Sequence, residues 1–175
     1  MRQFYQVLPS ENDPEREGVA WALDIDDPLY HPREAVAASV VHVFELRDIL
    51  YSDFLMTDAG WNLFSPAFRE VLDAHAVEED GLRWCQVTVK REEEHREYHT
   101  YYFDAVPDVL NQDDTIFAGD FVVRPSFRAA EAESARVITV DEAGGIGRMY
   151  VTQHVVSTAM NAKITGVMFG KVRTK

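Results

Sequence analysis

Short apolar runs alternate with charged and turn-forming stretches along the whole chain, and their spacing predicts many strands and few helices. Phe4 to Leu8 reads as an opening strand, closed by the turn-rich Pro9-Ser10-Glu11-Asn12-Asp13-Pro14. Gly18 to Leu23 is a second apolar run, and the acids and proline of Asp24-Ile25-Asp26-Asp27-Pro28 behind it predict a loop. Val40 to Leu46 reads as a strand with Val41, Val43 and Glu45 on one side and His42, Phe44 and Leu46 on the other. The clearest helix opens at Ser65-Pro66, a favoured cap followed by a proline whose missing N–H costs nothing at the first helical position. Phe68, Val71, Leu72 and His75 then fall on one helical face.

Trp84 to Lys90 alternates as a strand, Tyr98 to Phe103 is a strand dense in aromatics, and Arg91 to Glu97 between them reads as a charged hairpin tip. Strand signals return at Ile116 and at Phe121 to Arg124, where Pro125 weakens the ladder. Ala129 to Ala135 fits a short helix or a loop. Val137 to Val140 and Met149 to Val151 are strands joined by the glycine-rich stretch 141–147. Thr152 can cap a helix whose Val155, Val156, Ala159 and Met160 share a face, and Thr165 to Val172 returns as a strand. Strands and helices mix without a βαβ rhythm. The expected fold is α+β, a single domain over residues 1–175 with a mixed or mainly antiparallel sheet and a few helices packed on it.

Charge narrows the classes of partner. The chain has 30 Asp+Glu against 17 Lys+Arg, a net charge of −13. All the acids lie before residue 143, and the tail from Ala143 carries only Arg148, Lys163, Lys171, Arg173 and Lys175. Such a field repels nucleic acid and anionic membrane and attracts basic surfaces. No apolar run approaches the ~18 residues of a membrane span. The first eight residues are too short and polar for a signal peptide, so a soluble cytoplasmic protein is expected. The one cysteine, Cys85, sits in an apolar run and reads as a core thiol.

Reactive motifs are not found. His95 and His99 resemble metal-ligand spacing, but a strand is the better reading there, and Glu93-Glu94-His95 lacks the order of a zinc helix. Gly144-Gly145-Ile146-Gly147 precedes a strand, so a hairpin explains it more simply than a phosphate loop. No G-x-S-x-G elbow occurs, and His31, His42, His75, His95, His99 and His154 show no pairing. The expectation is a non-enzyme with no cofactor and no metal. Trp61, Phe64, Trp84, Tyr98, Tyr101 and Tyr102 sit near acidic runs, a combination that suits either a sheet core or an interface receiving basic residues.

Three segments together carry a family resemblance: Val19-Ala20-Trp21-Ala22-Leu23-Asp24, the phrase from Asn62 to Leu72, and the close Met149-Tyr150-Val151-Thr152 followed by a helix and Ile164-Thr165-Gly166-Val167-Met168-Phe169. On these the chain resembles the bacterial immunity-protein family eleven of polymorphic toxin systems, whose members are single domains encoded beside secreted toxins. The Asp24–Asp27 loop and the Arg91–Glu97 run stand outside that pattern. The resemblance implies binding and blocking of a cognate toxin, with no catalytic residues to carry over. The expected contacts are the loop acids Asp24, Asp26, Asp27, Glu92, Glu93, Glu94, Asp113 and Asp114, with Trp61 as an aromatic anchor, against a toxin with a basic surface. The alternative is a small-ligand-binding protein or enzyme with a site assembled from sequence-distant residues. The oligomeric state stays open.

Overall fold

The computed structural model describes residues 2–10, 18–27, 29–47, 50–140 and 147–175. The glycine-rich stretch therefore lies outside the described residues except for Gly147. In chain order the elements begin with β1 (Phe4–Pro9), β2 (Val19–Ala22), α1 (Pro32–Ala38), β3 (Val43–Leu46), β4 (Phe54–Thr57), β5 (Asn62–Phe64) and α2 (Pro66–Asp73). After a short 3-10 turn (Glu78–Asp80) come β6 (Leu82–Arg91), β7 (Glu94–Phe103), β8 (Ile116–Ala118), β9 (Phe121–Arg124) and β10 (Ser126–Phe127). The chain closes with β11 (Val137–Ile138), β12 (Tyr150–Thr152), α3 (Gln153–Asn161), β13 (Val167–Lys171) and β14 (Arg173–Thr174). The fold is α+β with mainly antiparallel sheets, as the alternation predicts.

Six strands close a barrel in the order β2-β3-β6-β7-β5-β4. The long β6–β7 hairpin is its spine, and the ring joins at one residue pair between β5 and β7, Phe64 opposite His99. Period-two alternation sorts the side chains. Phe44, Leu46, Leu55, Leu63, Cys85, Val87, Val89 and Tyr98 fill the barrel, whereas Phe54, Phe64 and Tyr101 point outward. Those outward residues meet α2 and α3 and one face of a second sheet, ordered β11-β12-β1-β13. That sheet is covered on its other face too, where Phe4, Ile138 and Tyr150 pack against Val109, Phe127 and Val172. Its middle strand, β1, pairs with β12 from Phe4 to Gln6 and with β13 from Tyr5 to Pro9.

Two polar ties join these parts. Ser65 caps α2 by accepting from Phe68 N–H at 3.2 Å, and its hydroxyl donates to Asp53 Oδ1 at 2.6 Å. The other oxygen of Asp53 accepts from both the N–H and the hydroxyl of Thr165 at 2.8 Å, which fastens the barrel and the α2 cap to the α3–β13 connection. Asp80 is buried and accepts from the N–H groups of Val77, Arg136 and Val137 at 3.0–3.1 Å. Burial pushes its carboxyl above the usual range, against the pull of the backbone donors from Val77 and Val137.

Several expectations change. The Arg91–Glu97 run is mostly strand, because Arg91 faces Glu94, Lys90 faces His95 and Val89 faces Arg96 across the ladder. Opposite charges satisfy one face, and the tip shrinks to Glu92 and Glu93, with Glu92 at φ 54°. Of the two readings of residues 129–135, the structure takes the loop, as turns and bends. Met160 is 70% exposed, although Val155, Val156 and Ala159 of the same predicted face are buried in the core. Helix α1 is an addition. His31 Nδ1 accepts from Arg33 N–H at 3.1 Å, Glu34 Oε1 accepts from His31 N–H at 3.3 Å, and Pro32 opens the helix. The Asp53–Ser65 tie predicts that Ser65→Ala costs about 1–2 kcal/mol. In urea unfolding, the Asp53→Ala and Ser65→Ala double-mutant cycle should show coupling of about 1 kcal/mol.

Candidate protein-interaction surface

The expected contact acids fall in three places. Strand directions put the Asp24–Asp27 loop at one barrel end, because β2 runs antiparallel to β3, with Ala22 opposite Phe44. The parallel β3–β6 pairing, Glu45 opposite Lys90, puts Glu92, Glu93 and Glu94 at the other end. Asp113 and Asp114 lie away from both ends, beside the C-terminal strand. No single partner-facing loop cluster contains all eight acids.

Several of these carboxylates are also occupied. Asp114 accepts from Lys175 Nζ at 2.8 Å, lies 3.6 Å from Arg173, and is held below the usual carboxylate range chiefly by the Lys175 hydrogen bond. The basic tail thus neutralises an acid that the sequence offers to a partner. Glu94 pairs with Arg96 at 2.7 Å, and Arg96 stacks 3.9 Å above the Tyr51 ring. Glu92 and Glu93 remain exposed at a two-residue tip.

Trp61 is not a surface anchor. Only 1% of it is exposed, since β5 directs it into the barrel's α1 end. Its indole N–H donates to the Tyr30 carbonyl at 3.0 Å, and its ring stacks on Tyr30 at 6.2 Å and lies edge-on to His42 at 5.6 Å. Trp61 therefore shapes the acidic loop from beneath. Asp24 accepts from Val43 N–H at 3.3 Å and lies 3.1 Å from His42 Nδ1, while Asp27 Oδ1 accepts from Leu29 N–H at 2.8 Å. These bonds fix the backbone of the loop and leave Asp26 and Asp27 pointing to solvent.

Around those acids the surface is apolar. Leu23 (48% exposed), Leu29 (78%), Val36, Val40 and Val41 are exposed on the loop, on α1 and on the approach to β3. Leu23 N–H bonds the Val43 carbonyl, and Val40 N–H bonds the Ala35 carbonyl, which ties the loop to β3 and the end of α1 to the approach to β3. Between Leu23 and Val41 stand Asp24, Asp26, Asp27 and Glu34 against Arg33 alone, and Arg33 is engaged by Asp104 at 3.1 Å. Apolar side chains ringed by uncompensated acids match an interface core with a charged rim.

Chemistry is sparse elsewhere. His99 is buried against Trp84, 3.3 Å from Glu97, and desolvation followed by the nearby Arg69 charge holds its pKa down. His95 is exposed on the same strand, and among the described residues no group of His, Cys, Asp and Glu can hold a metal. Nor is any described helix long and apolar enough to cross a membrane. A cavity of about 340 Å³ lies between α3 and β13, lined by apolar side chains and Tyr5. One of about 310 Å³ lies along Val106 to Gln112. Neither brings a histidine to a carboxylate. No model of a known protein family matches the chain, and no curated protein matches it in sequence.

Two expectations follow from the buried groups. Desolvation pushes the Cys85 thiol up to about 11, so iodoacetamide at pH 8 should leave the folded protein unmodified and alkylate it in urea. His99 and His31 are both held below the usual 6.5, each chiefly by burial. The unfolded chain then takes up protons first, and stability should fall as pH drops below 6.5. His99→Phe should flatten that decline in urea midpoints measured from pH 7.5 to 5.5.

Proposed function

We propose that this protein is an immunity protein that binds and neutralises a cognate secreted bacterial toxin through the acidic, apolar α1 end of its barrel. The observation that carries the reading is the exposure of Leu23, Leu29 and Val41 beside Asp24, Asp26 and Asp27, next to Tyr30, whose carbonyl accepts from the buried Trp61. A basic toxin surface would gain association rate from the field and affinity from the apolar centre. The sequence resemblance to immunity-protein family eleven supports the same reading. On this view the protein acts by occlusion and performs no reaction.

The test is co-expression with the product of the neighbouring open reading frame. Rescue from toxicity and a stable complex are expected, and a harmless neighbour overturns the reading. Within the complex, Asp26→Lys with Leu29→Ala should slow association by about tenfold and weaken its salt dependence. Glu92→Lys with Glu93→Lys, at the opposite barrel end, should change binding little. Equal effects at both ends would remove the α1 end as the contact surface.

A further inference from the structure

Residues 116–124 build a surface of different character. Among the described strands, β8 and β9 pair only with each other, through a two-residue turn of Gly119, at φ 61°, and Asp120. Val122 is buried among Val109, Leu110 and Phe127, and Phe117 lies across the ladder from it, so that face turns toward the body of the protein. The other face carries the pairs Ala118–Phe121 and Ile116–Arg124, with Val123 as the extra residue of the bulge beside them. All five are exposed, Ile116 by 52%, Phe121 by 57% and Val123 by 55%. Half-exposed side chains of this size amount to roughly 300 Å² of apolar surface, within the range of the largest patch on a typical monomer.

Charge complementarity selects the occupant. Asp120 stands at the tip and Arg124 at the base, and residues 115–125 contain no other charged side chain. Among the described residues neither of the two has a side-chain hydrogen bond or ion pair. The hairpin is therefore neutral in sum on a chain of −13, and it favours neither a basic nor an acidic partner. Its pattern does match its own copy. A two-fold axis across the strands brings each Asp120 over the other's Arg124, and each Phe121 toward the other's Val123 and Ile116. Packing of faces is the mode rather than strand addition, since the Val122 carbonyl already accepts from Arg148 Nη1 at 2.7 Å.

We infer that this hairpin is a self-association site, at which two copies of the chain pack the outer faces of β8 and β9 on each other, antiparallel, as a reversible homodimer. The area is well below the ~800 Å² per partner of a stable interface, so the dimer forms at high protein concentration and dissolves on dilution. Val122 packs on the face of the second sheet turned away from the barrel. The site thus goes beyond the toxin-blocking reading and makes no use of the α1 end.

The test is sedimentation of the whole protein from micromolar to millimolar concentration, with amide NMR at both ends of that range. Physiological salt is used, where the net charge of −13 is screened beyond about 8 Å. A monomer–dimer equilibrium is expected, with concentration-dependent shifts confined to residues 116–124. Asp120→Arg and Arg124→Asp set like charges opposite one another and should each weaken the dimer roughly tenfold. Asp120→Arg combined with Arg124→Asp should restore it, and a mixture of the two single variants should associate more tightly than either alone. Phe121→Thr should remove association and leave the thermal midpoint unchanged, since Phe121 is more than half exposed. Asp26→Lys with Leu29→Ala should have no effect, which separates failure here from failure at the α1 end. The inference is overturned if the protein stays monomeric at millimolar concentration, if the combined swap is as weak as the single ones, or if the shifts map to another surface. Hairpin shifts that arise only with phosphatidylcholine vesicles would overturn it in favour of lipid contact.

Discussion

Closing six strands into a filled ring is the constraint from which the rest of this molecule follows. The ring joins where Phe64 meets His99, and the alternation set by that register sends Leu63 and Val87 inward and Phe64 and Tyr101 outward. A slip of one residue would exchange the two sets, driving the large aromatics into the barrel and leaving the smaller aliphatic side chains to face α2 and the second sheet. The outward aromatics then need cover. Phe64 stacks on Tyr101 at 5.4 Å and meets Phe68 of α2 at 4.8 Å, so the second sheet and two helices exist in part to bury what closure pushes out.

The same closure decides which surfaces are free. Barrel ends have no neighbouring strand to cover them, and this protein treats its ends differently. One is stopped by Ala35 of α1 and by Trp61, and the loop above them displays acids and leucines. The other is finished by a two-residue turn whose flanking charges largely satisfy one another. The open sheet edge at β13 arises from a separate accident of order, because β1 spends one side on β12 and the other on β13.

Much of the architecture was legible in the sequence. Ser65-Pro66 announced α2, and the alternation of His42, Phe44 and Leu46 announced the inward face of β3. Helix α1 escaped notice because it has seven residues and its cap is a histidine ring rather than a hydroxyl or short carboxylate. Strands β4 and β5 are too short to show a period, and the charged run at Arg91 to Glu97 hid its strands behind a composition typical of loops. The candidate surface was half visible. Asp24, Asp26 and Asp27 could be named, but their separation from Glu92 to Glu94 depends on strand direction, and the pairing of Asp114 with Lys175 spans 61 positions. The groove left no local signal, since its walls come from β1, α3 and β13.

The position of β1 sets the order in which the fold can be made. Residues 4–9 emerge early, yet their partners are residues 150–152 and 167–171. At typical synthesis rates the wait is roughly ten to thirty seconds. Residues 19–103 contain every strand of the barrel and can close during that interval. The barrel would then expose Phe54, Phe64 and Tyr101 until the last segment arrives. Residues 149–171 then cover those aromatics, as β12, α3 and β13 take their places beside β1.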